Sequence, residues 1–444
     1  MPNRKPKPYA PVTVLQRLLR GREITAEELT RYYLSRIEQY NPVLHAVAER
    51  NPAALDDARR LDASAHTHDL PLFGIPILIK DNIDVAGLHT TAGSMALSDH
   101  IAAADAPVVA NLRRNGAIIL GKTNLTEFAN YTTENMPGGF SSRGGQVRHA
   151  YDAAASPSGS SSGSAVAVSA DLCAAALGTD TSFSVVACAT VHGLAGLKPP
   201  HGALDGEGIL PIARTLDSAA PMARTFDDAL LLYSAMRSTP FVISEPARPD
   251  TLRIAVNLAN HDMVSAAQLA LYETLFDALH TSGAQFAEVN QPYTPYLKTV
   301  MTCEFRRDLE AYLNGTDAAR KTLPEIIAFY REHPACMPYG ITYLEEAAKV
   351  PDPALHSAYQ EALAQRESLR AQILAELRNF DACVMTGPTN IMHFTGLPSL
   401  ALPLAMGADG LPRGIILYGA EEKRLYAAAH TIEKFCSPIL PPVL

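Results

Sequence analysis

Three stretches of this chain carry side chains that could do chemistry. Lys80 closes the apolar run GIPILIK, residues 74–80. A serine-rich stretch, SPSGSSSGSAVAV, covers residues 156–168, and Ser182 and Ser184 lie within LGTDTSFSVVACATVHGLAGLKP, residues 177–199. A lysine ending a buried strand is poorly solvated, which disfavours its ammonium and lowers its pKa. A fall from ~10.4 to ~7, enough for a base near neutral pH, equals roughly 4 kcal/mol of destabilised ammonium. The residues alone leave a second reading open, a structural lysine paired with Asp81 or Asp84.

Two short patterns match well-known machinery and fail on context. Gly116 to Thr123 fits GxxxxGK[ST], but that pattern needs an open loop whose N–H groups cradle phosphate. The intervening residues are Ala-Ile-Ile-Leu, which favour a buried strand. Gly159 to Gly163 fits the GxSxG elbow, which must follow an apolar strand. Residues 153–157 are no strand, so Ser161 is set aside as an elbow nucleophile. No lysine has a serine three residues before it, which excludes SxxK chemistry.

Taken together, GIPILIKDN, the serine-rich stretch and the 177–199 segment resemble the amidase signature family, serine hydrolases with a Ser–cis-Ser–Lys triad. The resemblance is strong over about 74–236 and fainter in GLPSLALPLAM and GLPRGIILYG near the C-terminus. SRGGQ (142–146), the triple Ser160-Ser161-Ser162 and SAVAV (164–168) are most similar to the peptide amidase branch. The resemblance implies an amidohydrolase in which Ser184 is the nucleophile, Ser160 the bridging serine and Lys80 the base. It implies an oxyanion hole of backbone N–H groups along Thr181, Ser182 and Phe183 into Ser184, and structural roles for Ser161 and Asp180. The chain departs from the family pattern at Ser182-Phe183, where glycine is usual, at Val186, where many members have arginine, and at Cys188, where proline is usual. Ser182-Phe183 and Cys188 motivate one alternative, a diverged relative with little or no activity; the second is a transamidase-type subunit, which shares the fold that the resemblance implies. The acidic charge and the missing Gly-Gly weigh against the second.

The elements that must hold these residues can be read from periodicity. Residues 74–80, 117–120 (AIIL) and 252–256 (LRIAV) are apolar runs that suggest strands buried on both faces. Thr25 and Glu28 form a capping box before an amphipathic helix. Asn51-Pro52 predicts the start of another helix, and Leu269, Tyr272, Phe276 and Leu279 predict one that begins after Ser265 and stops near Gly283. Residues 401–406 and 414–418 flank Asp409-Gly410 as a hairpin. Segment 291–353, with Tyr293, Tyr296, Tyr312, Tyr330, Tyr339 and Tyr343, reads as a helical layer or a lid over a pocket. Alternating strands and helices predict one α/β domain over 1–444, with a mixed twisted central sheet covered by helices on both faces.

Composition narrows the rest. The 444 residues carry 37 basic and 46 acidic side chains, a net charge of −9, which argues against a nucleic-acid partner. Hydrophobic residues at 47% and charged residues at 19% are too apolar and too mildly charged for disorder. Residues 165–178 are the longest weakly polar run and fall short of the ~20 apolar residues of a membrane span. The N-terminal segment, with Arg4, Lys5 and Lys7, lacks an apolar core for a secretory signal. Six cysteines stand singly, as expected of reduced thiols in a cytoplasmic protein. The histidines are scattered, the closest pair being His66 and His68, and no metal site or organic cofactor is implied. The expected partner is a small-molecule or peptide amide substrate, bound by a monomer or homodimer.

Overall fold

The computed structural model describes residues 7–64, 69–242, 245–350 and 352–444; Arg4, Lys5, His66 and His68 lie outside them. In chain order its strands are β1 (Val47–Arg50), β2 (Pro76–Lys80), β3 (Ile118–Thr123), β4 (Phe140–Ser141), β5 (Gly145–Gln146), β6 (Ala175–Asp180), β7 (Ala195–Lys198), β8 (Ser218–Ala223), β9 (Arg253–Asn257), β10 (Gln285–Val289), β11 (Ala382–Met385), β12 (Ser399–Met406) and β13 (Pro412–Tyr418). Apart from the β4–β5 ribbon they form one sheet in the order β1-β3-β2-β6-β8-β7-β12-β13-β11-β9-β10. The sheet is mixed: β3–β2–β6 and β11–β9–β10 run parallel, the remaining neighbours antiparallel. Every residue of β2, β3 and β6 is buried, so both faces are covered there, as continuous apolar runs demand.

The apolar runs become β2, β3 and β9, and the 401–418 segment becomes the antiparallel β12–β13 hairpin. The sequence that imitates a phosphate loop is strand β3. Its Lys122 is fully buried, donating to His89 O at 2.7 Å and Thr90 Oγ1 at 3.0 Å. The Thr25–Glu28 capping box opens a helix over Ala26–Leu44, and Ser265 caps the helix Ala266–Thr281. One boundary differs: the helix expected from Pro52 covers Ala54–Ala63 instead. Asn51 delays it, because its side chain accepts from Ala53 N at 3.0 Å and donates to Ile119 O at 2.8 Å, a local turn that competes with helix.

The tyrosine-rich segment is helical over Tyr296–Asn314, Leu323–Glu332 and Thr342–Ala348. It builds a second apolar core, in which Leu309, Ile326 and Leu344 pack with Ala92, Phe128 and Leu210. Ala92 and Phe128 belong to the loops that leave β2 and β3, so this layer stands over the carboxyl ends of those strands. Among the described residues no helix is long and apolar enough to cross a membrane.

Candidate active site

Strands β2 and β6 are parallel neighbours, with Ile79 opposite Leu177, so both carboxyl ends open onto one edge of the sheet, where a crevice forms. Lys80 is the last residue of β2 and has no exposed surface. Its Nζ donates to Ser160 Oγ at 2.8 Å, Thr179 Oγ1 at 2.9 Å, Ser161 Oγ at 3.0 Å and Thr179 O at 3.3 Å. Burial pushes the Lys80 pKa down to about 7, against the opposing pull of Cys188, Asp180 and Asp217. Pairing with Asp81 or Asp84 does not occur. Asp81 instead accepts from Thr91 and faces Arg143 at 3.3 Å and Lys122 at 3.5 Å, and Asp84 accepts from Tyr312 at 2.7 Å.

Ser160 sits in the turn before the helix Ser162–Ser169, with a cis Gly159–Ser160 peptide. Every residue of that helix is buried, which anchors the turn against β6; Ser164 Oγ donates to Leu177 O at 2.8 Å. The Oγ atoms of Ser160 and Ser184 are 3.0 Å apart. Lys80 and Ser160 are 0% exposed, whereas Ser184 is 6% exposed, so the one opening along this row is at Ser184. Hydroxyl protons rotate, so the row Lys80–Ser160–Ser184 can pass a proton in either direction.

The turn carrying Ser184 joins β6 to the helix Val186–His192. Asp180, the buried end of β6, accepts from Val185 N at 2.7 Å and Val186 N at 3.2 Å. Burial raises its pKa, but His393, the Val185 amide and Lys198 outweigh that and bring it to about 2. Ser161 donates to Thr179 O at 3.1 Å. Both residues thus tie loops together, the structural role that the family resemblance implies, and Ser161 also accepts from Lys80 Nζ. Thr181 turns its hydroxyl away to Asp217 Oδ1 at 2.5 Å. Phe183 has φ of 69°, the left-handed region that bulky residues avoid. The N–H groups of Thr181, Ser182, Phe183 and Ser184 donate to no other group among the described residues, leaving a run of open donors beside Ser184.

Several neighbours escape sequence reasoning. Thr179 faces Lys80 directly and Asn82 Nδ2 donates to Thr179 Oγ1 at 3.1 Å; their closeness to Lys80 and Asp180 in sequence is the one available signal. Asp217 also accepts from Ile212 N and Ala213 N, and burial raises its pKa to about 7. Arg143, within SRGGQ, contacts Glu49 and Asp81, both at 3.3 Å.

The family model described as Amidase matches residues 28–389. A protein of Arabidopsis thaliana described as a probable amidase is 31% identical, covering 95% of this chain and 89% of the relative. A glutamyl-tRNA(Gln) amidotransferase subunit of Nitratidesulfovibrio vulgaris is also 31% identical, with 96% of each chain covered. The X-ray structure of native peptide amidase from Stenotrophomonas maltophilia superposes with a TM-score of 0.91 at 33% identity, over 99% of both chains. A buried lysine–serine–serine row at the carboxyl ends of β2 and β6, in a fold shared over nearly the whole length, goes with one conclusion: the chain belongs to the amidase family and is a hydrolase of amide C–N bonds.

Proposed function

We propose that Ser184 attacks the amide carbonyl while Ser160 relays its proton to Lys80. The observation that carries this reading is the unbroken row of 2.8 Å and 3.0 Å contacts from Lys80 Nζ through Ser160 Oγ to Ser184 Oγ, with Nζ hydrogen-bonded to no carboxylate among the described residues. As the Ser184 Oγ–carbon bond forms, the carbonyl π pair moves onto oxygen. The open N–H groups of Thr181, Ser182, Phe183 and Ser184 are the donors proposed for that oxyanion. Backbone donors do not depend on side chains, so Ser182 and Phe183 are compatible with the role. Collapse of the tetrahedral adduct breaks the C–N bond, and the proton on Lys80 returns through Ser160 to the departing nitrogen. Water then gives a proton to the same relay, attacks the acyl carbon, and releases the acid as Ser184 regains its proton.

Likeness to a peptide amidase supports a primary carboxamide, such as a peptide C-terminal amide, as substrate, with ammonia as product. We further take the 1–444 chain as one domain, with a signature core at about 74–236 and the 291–353 layer as its lid; the single sheet that runs without a break from β1 at one edge to β10 at the other supports this. The likeness to one component of an amidotransferase supports a second reading, in which partner proteins complete the enzyme. A chain that releases ammonia from primary amides when purified alone, as a monomer or homodimer, argues for the first.

The test is a fluorophosphonate adduct mapped by peptide mass spectrometry, expected on Ser184. Ser184→Ala is expected to lower kcat by about 10⁴-fold or more, and Lys80→Ala to abolish measurable turnover. An adduct on another serine, or full activity in Ser184→Ala, overturns the assignment.

A further inference from the structure

The turn around Ser184 is gripped unevenly. Amides 181–184 are open, whereas those of Val185 and Val186 are clamped by Asp180 Oδ2. The other carboxylate oxygen, Asp180 Oδ1, lies 3.1 Å from Nε2 of His393, and both side chains are completely buried. His393 comes from the short helix Ile391–Phe394, between β11 and β12 and far from Ser184 in sequence. Its ring lies against Phe183, centroids 4.3 Å apart and planes tilted by 46°. One side chain therefore touches the residue before Ser184 with its face and reaches the two residues after it through Asp180.

An imidazole is a costly filler for this space. Neither ring nitrogen makes a directed hydrogen bond among the described residues, and the contact with Asp180 lies off the N–H direction. Leucine would fill a similar volume without burying under-satisfied polar atoms. Lys198 is another buried side chain that acts on Asp180, but its Nζ is occupied by Pro199 O at 3.2 Å and Leu397 O at 3.0 Å. Phe183 needs outside support, because a bulky residue stays left-handed only where its surroundings over-determine it. The His393 ring is an aromatic partner for it.

We propose that His393 is a positioning residue: by holding Phe183 in its left-handed conformation and Asp180 against the Val185 and Val186 amides, it fixes Ser184 and the open N–H groups in register. The proposal rests on Ser184 being the nucleophile.

The experiment uses the full-length protein and two variants that split the two contacts. His393→Asn keeps a polar group toward Asp180 but loses the ring, and His393→Phe keeps an aromatic ring but loses the polar contact with Asp180. Each is expected to lower kcat by about 10²-fold, the size of effect that a misplaced reacting group produces, with KM changed by less than about threefold. The rate of fluorophosphonate labelling at Ser184 is expected to slow in parallel. Glycine adopts positive φ freely, so Phe183→Gly added to His393→Asn is expected to recover part of the lost kcat, which a loss of general packing would not allow. Labelling at an unchanged rate in both variants overturns the proposal, as does a raised KM at constant kcat or a double variant no better than His393→Asn. Absence of Ser184 labelling in the wild-type protein overturns instead the nucleophile assignment beneath it.

Discussion

In the proposed mechanism, the protonation of Lys80 governs how much enzyme can start the reaction near neutral pH. Only the neutral amine accepts a proton, and burial brings its pKa down to about 7. Below that value the neutral fraction falls tenfold per pH unit, so kcat/KM is expected to climb about tenfold per unit and level off above about 7. Ammonia release measured from about pH 5 to about pH 9 checks this; a profile flat through this range excludes Lys80 as the titrating base. The four oxygens around Nζ make the neutral form workable. Ser161 already donates to Thr179 O, so it accepts from Lys80, while the Ser160 hydroxyl, which donates to Ser184 Oγ at 3.0 Å, can rotate to donate to the neutral amine. Burial pushes the Cys188 thiol up to about 12, so it is protonated near neutral pH.

At the scale of elements, two serine-bearing turns must meet across strand β6. Gly178, in the middle of that strand, makes the approach possible: a Cβ there would stand 2.6 Å from Ser161 Oγ and 2.8 Å from Val185 Cγ2. Gly178→Ala is therefore expected to cost about 1–3 kcal/mol of stability by overpacking. It is also expected to lower kcat more than it raises KM, because Ser161 is pressed toward Lys80 and Val185 adjoins Ser184. Gly206→Ala, where an added methyl meets nothing within 4 Å, serves as the control. Equal melting temperatures and rates in the two variants would refute this account. The same elements show why some sequence patterns read correctly. A capping box acts over three residues, and a buried strand announces itself by apolar β-branched residues, so the Ala26–Leu44 helix, β2 and β3 could be drawn from the chain alone. The start of the Ala54–Ala63 helix could not, because Asn51 spends its side chain on Ile119, a residue of the neighbouring strand.

At the scale of the whole molecule, a buried polar knot ties the helical layer over 296–348 to the loops that follow β2, β3 and β4. Tyr330 donates to Glu127 and contacts Ser94, and Ser142 N also donates to Glu127, at 2.5 Å. Burial raises the Glu127 pKa to about 7 in spite of these bonds. Tyr330→Phe leaves that carboxyl short of a donor and is expected to destabilise the docked layer by about 1–3 kcal/mol. Limited proteolysis should then cut first within 291–353, while wild-type protein resists under the same conditions. Cleavage first at another site would show that the knot does not hold the layer.

The sequence by itself determined what depends on a few adjacent residues. Lys80 ends an apolar strand, the GxxxxGK[ST] match is a strand and not a phosphate loop, and the β12–β13 hairpin closes around Asp409-Gly410. Its resemblance to a family also put Lys80, Ser160 and Ser184 into one set. Only the tertiary structure decided which partners Lys80 meets. Asp81 and Asp84, adjacent or nearly so in sequence, are engaged by Thr91, Arg143, Lys122 and Tyr312, and this frees Lys80 for the two serine turns. Only the fold brings His393 beside Asp180 and Phe183. The physical reason is range: propensity and periodicity act within one or two turns of chain, whereas the contacts among residues 80, 160 and 184, and those of 393 with 180 and 183, follow from strand order and from the closure of long loops.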